Sequence, residues 1–404
     1  MEITAPGGTL EKIKYAVAYG ADAVYCAYQK FGLRAFAGNL TQDDLQSGIS
    51  FCHEHNAKLY LTLNIYARNA DFAELTELVQ WLSQSGVDAL IISDPGVFNI
   101  ARKHSEIPIH ISTQANITNM HTARFWFDMG AKRIIPAREL CLAELIQIKE
   151  EVPELEVETF IHGAMCIAWS GRCLLSAALN KRSANQGECT HPCRWNWALT
   201  EESRPDEYFP VQEDEYGTYI LSSKDLCLLP HVQQLAASGI DSGKIEGRMK
   251  SLYYVAQLAR LYKSALSIPA NDTGKWTKLM SEICKVSHRQ YYHGFFYDFD
   301  QAQMDDSIVD ITQAQGTYER DWQYCAKITQ QDAMGIVWFD CFSKISLGEE
   351  IEIIFPDLDN DIIHTVTTIL DTEVNAVQAT KPNKVYGIPL AKHCPEYGII
   401  RKAL

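Results

Sequence analysis

No run of 18 apolar residues occurs in this chain, so no transmembrane helix is expected. The opening stretch MEITAPGGTLEKIKYAV has no basic leader ahead of an apolar segment, so no signal peptide is expected and the cytoplasm is the expected compartment. In that compartment disulfides rarely persist, and the cysteines need another reading. Basic residues are in deficit. The 36 Lys and Arg against 51 Asp and Glu leave a formal net charge of −15. That balance favours solubility and disfavours non-specific nucleic-acid binding, but leaves room for a local basic pocket. Neither HExxH nor GxSxG is present, which removes the common zinc-peptidase and serine-hydrolase signatures.

What is present is an alternating pattern. The 404 residues suffice for one large domain and one small one, and 47% apolar with 22% charged residues describes an ordinary globular protein. Eight short, β-branched apolar runs read as strands buried on both faces: 2–7, 20–27, 58–65, 86–94, 107–115, 130–140, 156–163 and 239–247. Helical patterns separate them. Thr41 suits an N-cap, and Pro95 suits a first helical position, where a missing N–H costs nothing. Residues 1–268 are therefore predicted to form a TIM-type (β/α)8 barrel in the α/β class, with a doubly wound open sheet as the alternative.

The predicted C-terminal strand ends are polar: Asn64, Asp94, Gln114, Asn116, Arg138, Glu139, His162, Lys244, Glu246 and Arg248. Any one of them could simply mark where a strand becomes a loop; together they predict a functional mouth. The connection after strand seven, 164–221, is too long for an ordinary barrel loop and is expected on the active face. Residues 269–323 read as a linker and helical segment. Alternating runs at 324–328, 335–343, 349–355, 362–370, 374–380 and 397–402 predict a small C-terminal β-barrel domain over 324–404.

Five cysteines, Cys166, Cys173, Cys189, Cys193 and Cys227, crowd into 62 residues, whereas the other seven are scattered. Cys166 and Cys173 are separated by six residues and Cys189 and Cys193 by three, neither being the usual zinc-finger spacing. Gly163, Gly171 and Gly187 allow tight turns nearby, and Arg172 and Arg194 could offset thiolate charge. An iron–sulfur cluster fits this pattern. Buried free thiols, structural zinc, and a nucleophilic cysteine with His162 or His191 as base are the alternatives.

Glu158, Phe160, Gly163, Ala164, Met165, Cys166, Gly171, Cys173 and Ser176 stand in the register of a known signature. They resemble the collagenase-like peptidase family U32. APGGTLEKIKYAVAYGADAVY, TQANITN, GAKRIIPARELCL, SSKDLCLLPHV, KIEGRMKSLYYVA and KVSHRQYYHGF extend the resemblance over nearly the whole chain. It implies a barrel with an appended β-domain. The nearest branch implies oxygen-independent hydroxylation of a tRNA wobble uridine to 5-hydroxyuridine, while other branches act on ribosomal RNA or the ubiquinone ring. It further implies a 4Fe-4S cluster on Cys166, Cys173, Cys189 and Cys193, with Cys227 as the alternative fourth ligand, and prephenate as a possible hydroxyl donor. Peptidase activity, or a cluster-bearing partner subunit of another hydroxylase, are the alternative functions.

Within that frame Arg138, Lys244 and Arg248 are candidates to hold phosphate or carboxylate, and Glu246 and His162 to move protons. Trp169, Trp195 and Trp197 are candidates to stack on a base, with loop packing as the plainer reading. A tRNA partner would require a basic patch from Arg34, Arg138, Lys181, Arg182, Arg194, Lys244, Arg248, Lys250 and Arg289.

Overall fold

The structure is a computed structural model that describes residues 1–32, 40–164, 175–180, 190, 199–201, 204–209, 212–214, 217–219, 224–297 and 319–404. Seven parallel strands pair in chain order: Glu2–Pro6 (β1), Ala23–Ala27 (β2), Lys58–Leu63 (β3), Ala89–Ile92 (β4), Ile109–Ile111 (β5), Arg133–Ile134 (β6) and Glu156–Ala164 (β7). The excursion after β7 contains two antiparallel pairs, Leu199–Glu201 (β8) with Arg204–Phe209 (β9) and Gln212–Asp214 (β10) with Gly217–Tyr219 (β11). Asp225–Cys227 (β12) then returns antiparallel to the end of β7. Ser242–Ile245 (β13) pairs in parallel with both β7 and β1 and closes the barrel. Eight strands thus close on themselves, as the alternation predicts, and the open doubly wound sheet is excluded.

The helices are Leu10–Ala18 (α1), Gln42–Glu54 (α2), Phe72–Leu82 (α3), Pro95–His104 (α4), Met120–Asp128 (α5), Leu142–Glu151 (α6), Leu175–Asn180 (α7), Val232–Ala237 (α8), Leu252–Ser267 (α9) and Thr273–Ile283 (α10). Their starts follow the sequence. The Thr9, Asp94 and Ser251 side chains each accept an N–H of the first turn, and Thr41 forms a capping box with Asp44. Asp272 caps α10, which lies within the segment read as linker and helix, by accepting from the Lys275 amide at 3.0 Å. Leu226 and Cys227 lie in β12, because the end of β7 offers an unpaired edge there.

Tyr291–Tyr292 (β14) adds to β12 in parallel. The C-terminal domain consists of Trp322–Gln331 (β15), Ile336–Cys341 (β16), Glu350–Ile354 (β17), Ile362–Thr365 (β18), Ile369–Leu370 (β19), Ala376–Val377 (β20), Lys384–Pro389 (β21) and Ile399–Ala403 (β22). These form one curled sheet in the order β18-β17-β22-β15-β16-β21-β19-β20, and an antiparallel bridge between Ser346 and Ala379 joins segments next to its two ends. The run 362–370, read as one strand, is two strands at opposite ends of the sheet. β21 escaped the sequence pattern because Pro and Gly punctuate KVYGIP. The domain has its own apolar core around Phe339, Ile351, Phe355 and Ile400.

α9 lies between barrel and C-terminal domain. It is buried on nearly every side, polar Gln257 and Arg260 included. Arg260 donates to the Phe355 carbonyl at 2.7 Å and to Asp361 at 2.8 Å, while Arg401 donates to Glu282 at 2.7 Å and Glu352 at 2.5 Å. The Tyr19 hydroxyl reaches the carbonyls of Ile354 and Tyr397, at 3.1 and 2.8 Å. The two domains are therefore joined by paired, desolvated groups as well as apolar packing.

Candidate active site at the barrel mouth

The lower barrel interior is ionic. Glu158 is 0% exposed and accepts from Arg133 at 2.8 Å and Lys244 at 2.7 Å. Burial raises its pKa, but Lys244 and Arg133 more than offset this, so the carboxyl titrates below its ordinary range. Arg133 also grips Glu2 at 2.6 Å and Glu156 at 2.7 Å. Lys244, predicted for the mouth, forms its floor: its ammonium is paired with Glu158 and lies 4.3 Å from the centre of the Tyr25 ring.

Above this floor opens a cavity of about 80 Å³, lined by Tyr25, Thr62, Asn64, Ser112, Gln114, Phe160, Lys244, Glu246 and Arg248 with a few apolar neighbours. Glu246 accepts from the Tyr25 hydroxyl at 3.0 Å, and its amide is tied to the His162 carbonyl at 2.9 Å. Arg248 is buried beside Thr62, with Nη1 3.3 Å from the hydroxyl. Two glycines make this approach possible. A Cβ on Gly8 would lie 2.6 Å from the Arg248 carbonyl oxygen, and one on Gly163, where φ is +111°, would lie 2.5 Å from that of Glu246. The APGG segment and the β7 glycine thus cradle the loop that carries Glu246 and Arg248.

The predicted residues separate into distinct places. Asn64, Gln114, Lys244, Glu246 and Arg248 line the cavity. Asp94 instead caps α4 through Gly96 and Val97. Asn116 adopts a left-handed conformation at φ 56°. Arg138 stands at the rim, donating to the Ala164 carbonyl at 3.1 Å with its guanidinium 5.2 Å from the centre of Phe160. Beside it, burial raises the Glu139 pKa, only partly offset by backbone N–H groups and Arg138. His162 lies outside the cavity lining, 1% exposed among Tyr254, Tyr262 and Tyr291. Burial foremost, then Lys250 and His288, push its imidazole down to about 3. The register shift of the β7–β13 pair beside it accompanies this placement. Sequence reasoning missed Tyr25, Thr62, Ser112 and Phe160 as lining groups; Tyr25 and Phe160 could have been found from strand alternation.

Cys166, Cys173, Cys189 and Cys193 lie outside the described residues, as do His191, Arg34, Lys181, Arg182, Arg194 and the three tryptophans. The described residues hold no group of three or more His, Cys, Asp or Glu arranged for a metal. They do fix where the excursion begins and ends, because Ala164 and Asp225 are paired neighbours in β7 and β12. A thiol-rich loop rooted at one point suits a cluster's soft donor set. Cys227, opposite His162, is buried. Burial pushes its thiol up to about 11, and the Tyr262 hydroxyl oxygen lies 4.0 Å from the sulfur. Of the described members of the predicted basic patch, Lys244, Arg248 and Arg289 are each at most 5% exposed, while Arg138 and Lys250 are half-buried.

No helix among the described residues is long and apolar enough to cross a membrane. Residues 8–306 match the pattern of Peptidase family U32, and residues 320–401 that of the Peptidase family U32 C-terminal domain. The chain is 36% identical over 397 residues to tRNA hydroxylation protein P of Escherichia coli, covering 88% of this chain and 86% of that one. It is 32% identical over 416 residues to tRNA hydroxylation protein P1 of Bacillus subtilis, covering 99% and 94%. A more distant match is the 23S rRNA 5-hydroxycytidine C2501 synthase of E. coli, 34% identical over 281 residues, covering 70% of this chain and 41% of that one.

Proposed function

The chain belongs to peptidase family U32, and from that premise we propose that it is an RNA-modifying enzyme that hydroxylates a tRNA wobble uridine to 5-hydroxyuridine without molecular oxygen. The full-length similarity to proteins named for tRNA hydroxylation carries this reading. The chemistry of the mouth supports it. Uracil C5 is unreactive, and its hydroxylation needs redox help and proton handling in a site shielded from water. A 4Fe-4S cluster on Cys166, Cys173, Cys189 and Cys193, with Cys227 as the alternative fourth ligand, would supply electron transfer or orient a hydroxyl donor when bound.

The chain's own residues do the rest. Arg248 and Arg138, at the wall and the rim, suit an anionic hydroxyl donor, of which prephenate is a candidate. Lys244 is committed to Glu158 and acts through its field on whatever enters above it. Glu246 is the proton-transfer group in the cavity, held by Tyr25. His162 is set aside from that role, since it lies outside the cavity lining, enclosed by Tyr254, Tyr262 and Tyr291. For the peptidase alternative, the described lining of the mouth contains neither cysteine nor histidine.

Anaerobic purification should give a brown protein containing iron and sulfide, and Cys166→Ala or Cys173→Ala should bleach it. Cys193→Ala and Cys227→Ala should differ in iron retention; full retention in both would refute the ligand set. tRNA from a deletion strain should lack 5-hydroxyuridine and its derivatives. An unchanged nucleoside profile, or a colourless preparation that cleaves gelatin, would sink the reading.

A further inference from the structure

A tRNA extends far beyond a cavity of about 80 Å³, so most of its contacts must lie elsewhere. Three of the described cations near the mouth, Lys244, Arg248 and Arg289, are buried and poorly placed to bind its backbone. The C-terminal domain offers a different surface. Cys341 pairs with Lys384 in the β16–β21 ladder, and beyond it Ser346 bridges Ala379 while the Thr380 amide donates to the Ile345 carbonyl at 2.8 Å. These contacts bring the segments that carry Lys344, Lys381 and Lys384 side by side at one end of the ladder. Lys344, Lys381 and Lys384 are all exposed, as is Phe342 in the same pair of segments.

None of the three lysines forms an ion pair with a described carboxylate. The nearby Glu349 is already engaged by Lys402 at 2.8 Å and by the Ser346 amide at 3.0 Å. Exposed lysines outside any direct ion pair among the described residues, on a chain of net charge −15, point to an anionic ligand rather than to internal stability. The surface also connects to the mouth. Tyr254, whose hydroxyl donates to the Glu246 carbonyl, adjoins Tyr253, which stacks on Tyr324 at 6.1 Å; Tyr324 packs on Phe342 at 5.2 Å.

We infer that Lys344, Lys381 and Lys384, with Phe342 beside them, form a docking surface for the phosphate backbone of the tRNA whose target base enters the barrel mouth. The assignment rests on the tRNA reading above. Phosphate contacts of this kind position a nucleic acid without reading its sequence, and Phe342 supplies a face on which an unpaired base can stack.

The test uses the full-length protein and tRNA from a deletion strain, followed by fluorescence anisotropy over a salt series. The triple variant Lys344→Ala, Lys381→Ala, Lys384→Ala should melt like wild type, because all three side chains are exposed. Its tRNA affinity should fall at least about tenfold at about 100 mM salt, and its log–log salt slope should become shallower by about 1 per lysine removed. The corresponding Lys→Arg triple should bind like wild type. Unchanged affinity and slope in the folded alanine triple would overturn the surface while leaving the hydroxylation reading standing. Unchanged tRNA affinity with lost binding to phosphatidylserine vesicles would assign the lysines to a membrane, and would overturn it too. The nucleoside profile of the deletion strain judges the hydroxylation reading separately, whatever the affinities show.

Discussion

At the scale of single residues, the mouth depends on a few close approaches. Gly163 has a positive φ and no room for a Cβ against Glu246. Gly163→Ala should therefore lower stability by about 2 kcal/mol or more in urea unfolding and displace Glu246. Glu246 and Tyr25 are the pair through which the cavity can handle a proton. Glu246→Gln should reduce 5-hydroxyuridine formation about 100-fold or more in single-turnover assays, with the protein's melting temperature retained. Tyr25→Phe keeps the ring beneath Lys244 but removes the hydroxyl. It should cost less, about tenfold, and shift the pH profile of the rate, because Glu246 loses a donor that favours its ionised form. A pH profile identical to that of wild type would show that Tyr25 only packs.

At the scale of elements, the same residue type serves different ends according to where its strand stops. Asp94 is polar, at a strand end, and close to the mouth in sequence, yet its carboxylate accepts two N–H groups that open α4. Asp94→Ala should cost about 1 kcal/mol in thermal unfolding and leave the chemical step intact. β7 is the longest barrel strand because it has two tasks. Its first half closes the barrel against β13, and its second half receives β12. The excursion that carries Cys166, Cys173, Cys189 and Cys193 is thereby rooted next to the rim, with Arg138 fixing the last carbonyl of β7.

At the scale of the whole molecule, the contact of α9 and α10 with the C-terminal domain is electrostatically coupled to pH. Burial raises the Glu282 pKa, but Arg401 and Lys285 dominate and leave it at about 2, against an ordinary value of 4.5. Its folded value lies below its unfolded value, so the ionised carboxylate stabilises the native protein above about pH 4.5. That contribution is lost as pH falls from 4.5 toward 2, and is on the order of 3 kcal/mol. Glu282→Gln should remove this acid dependence in calorimetry. It should also destabilise the protein at neutral pH, because Arg401, only 1% exposed, keeps Glu352 but loses one of its two carboxylates. An acid-unfolding curve that overlays wild type would show that the network does not hold the domains together.

Alternation of short apolar runs with capped helices narrowed the fold to a barrel or an open doubly wound sheet, since strands buried on both faces and helices with one apolar stripe have few ways to cover each other, and the pairing of β13 with β1 decided for the barrel. The sequence also placed polar residues at the strand ends, and Asn64, Gln114, Lys244, Glu246 and Arg248 line one cavity. Which polar ends face inward was a tertiary matter. Asp94 turned to its helix, His162 was enclosed by tyrosines from α9 and β14, and Lys244 was claimed by Glu158 from the neighbouring strand. Sequence spacing does not encode these choices, because each depends on which element packs alongside and on the charge it brings. The same holds for the lysines of the C-terminal domain: Lys344 and Lys381 stand far apart in the chain, and only the pairing of β16 with β21 and the Ser346–Ala379 bridge bring their segments together.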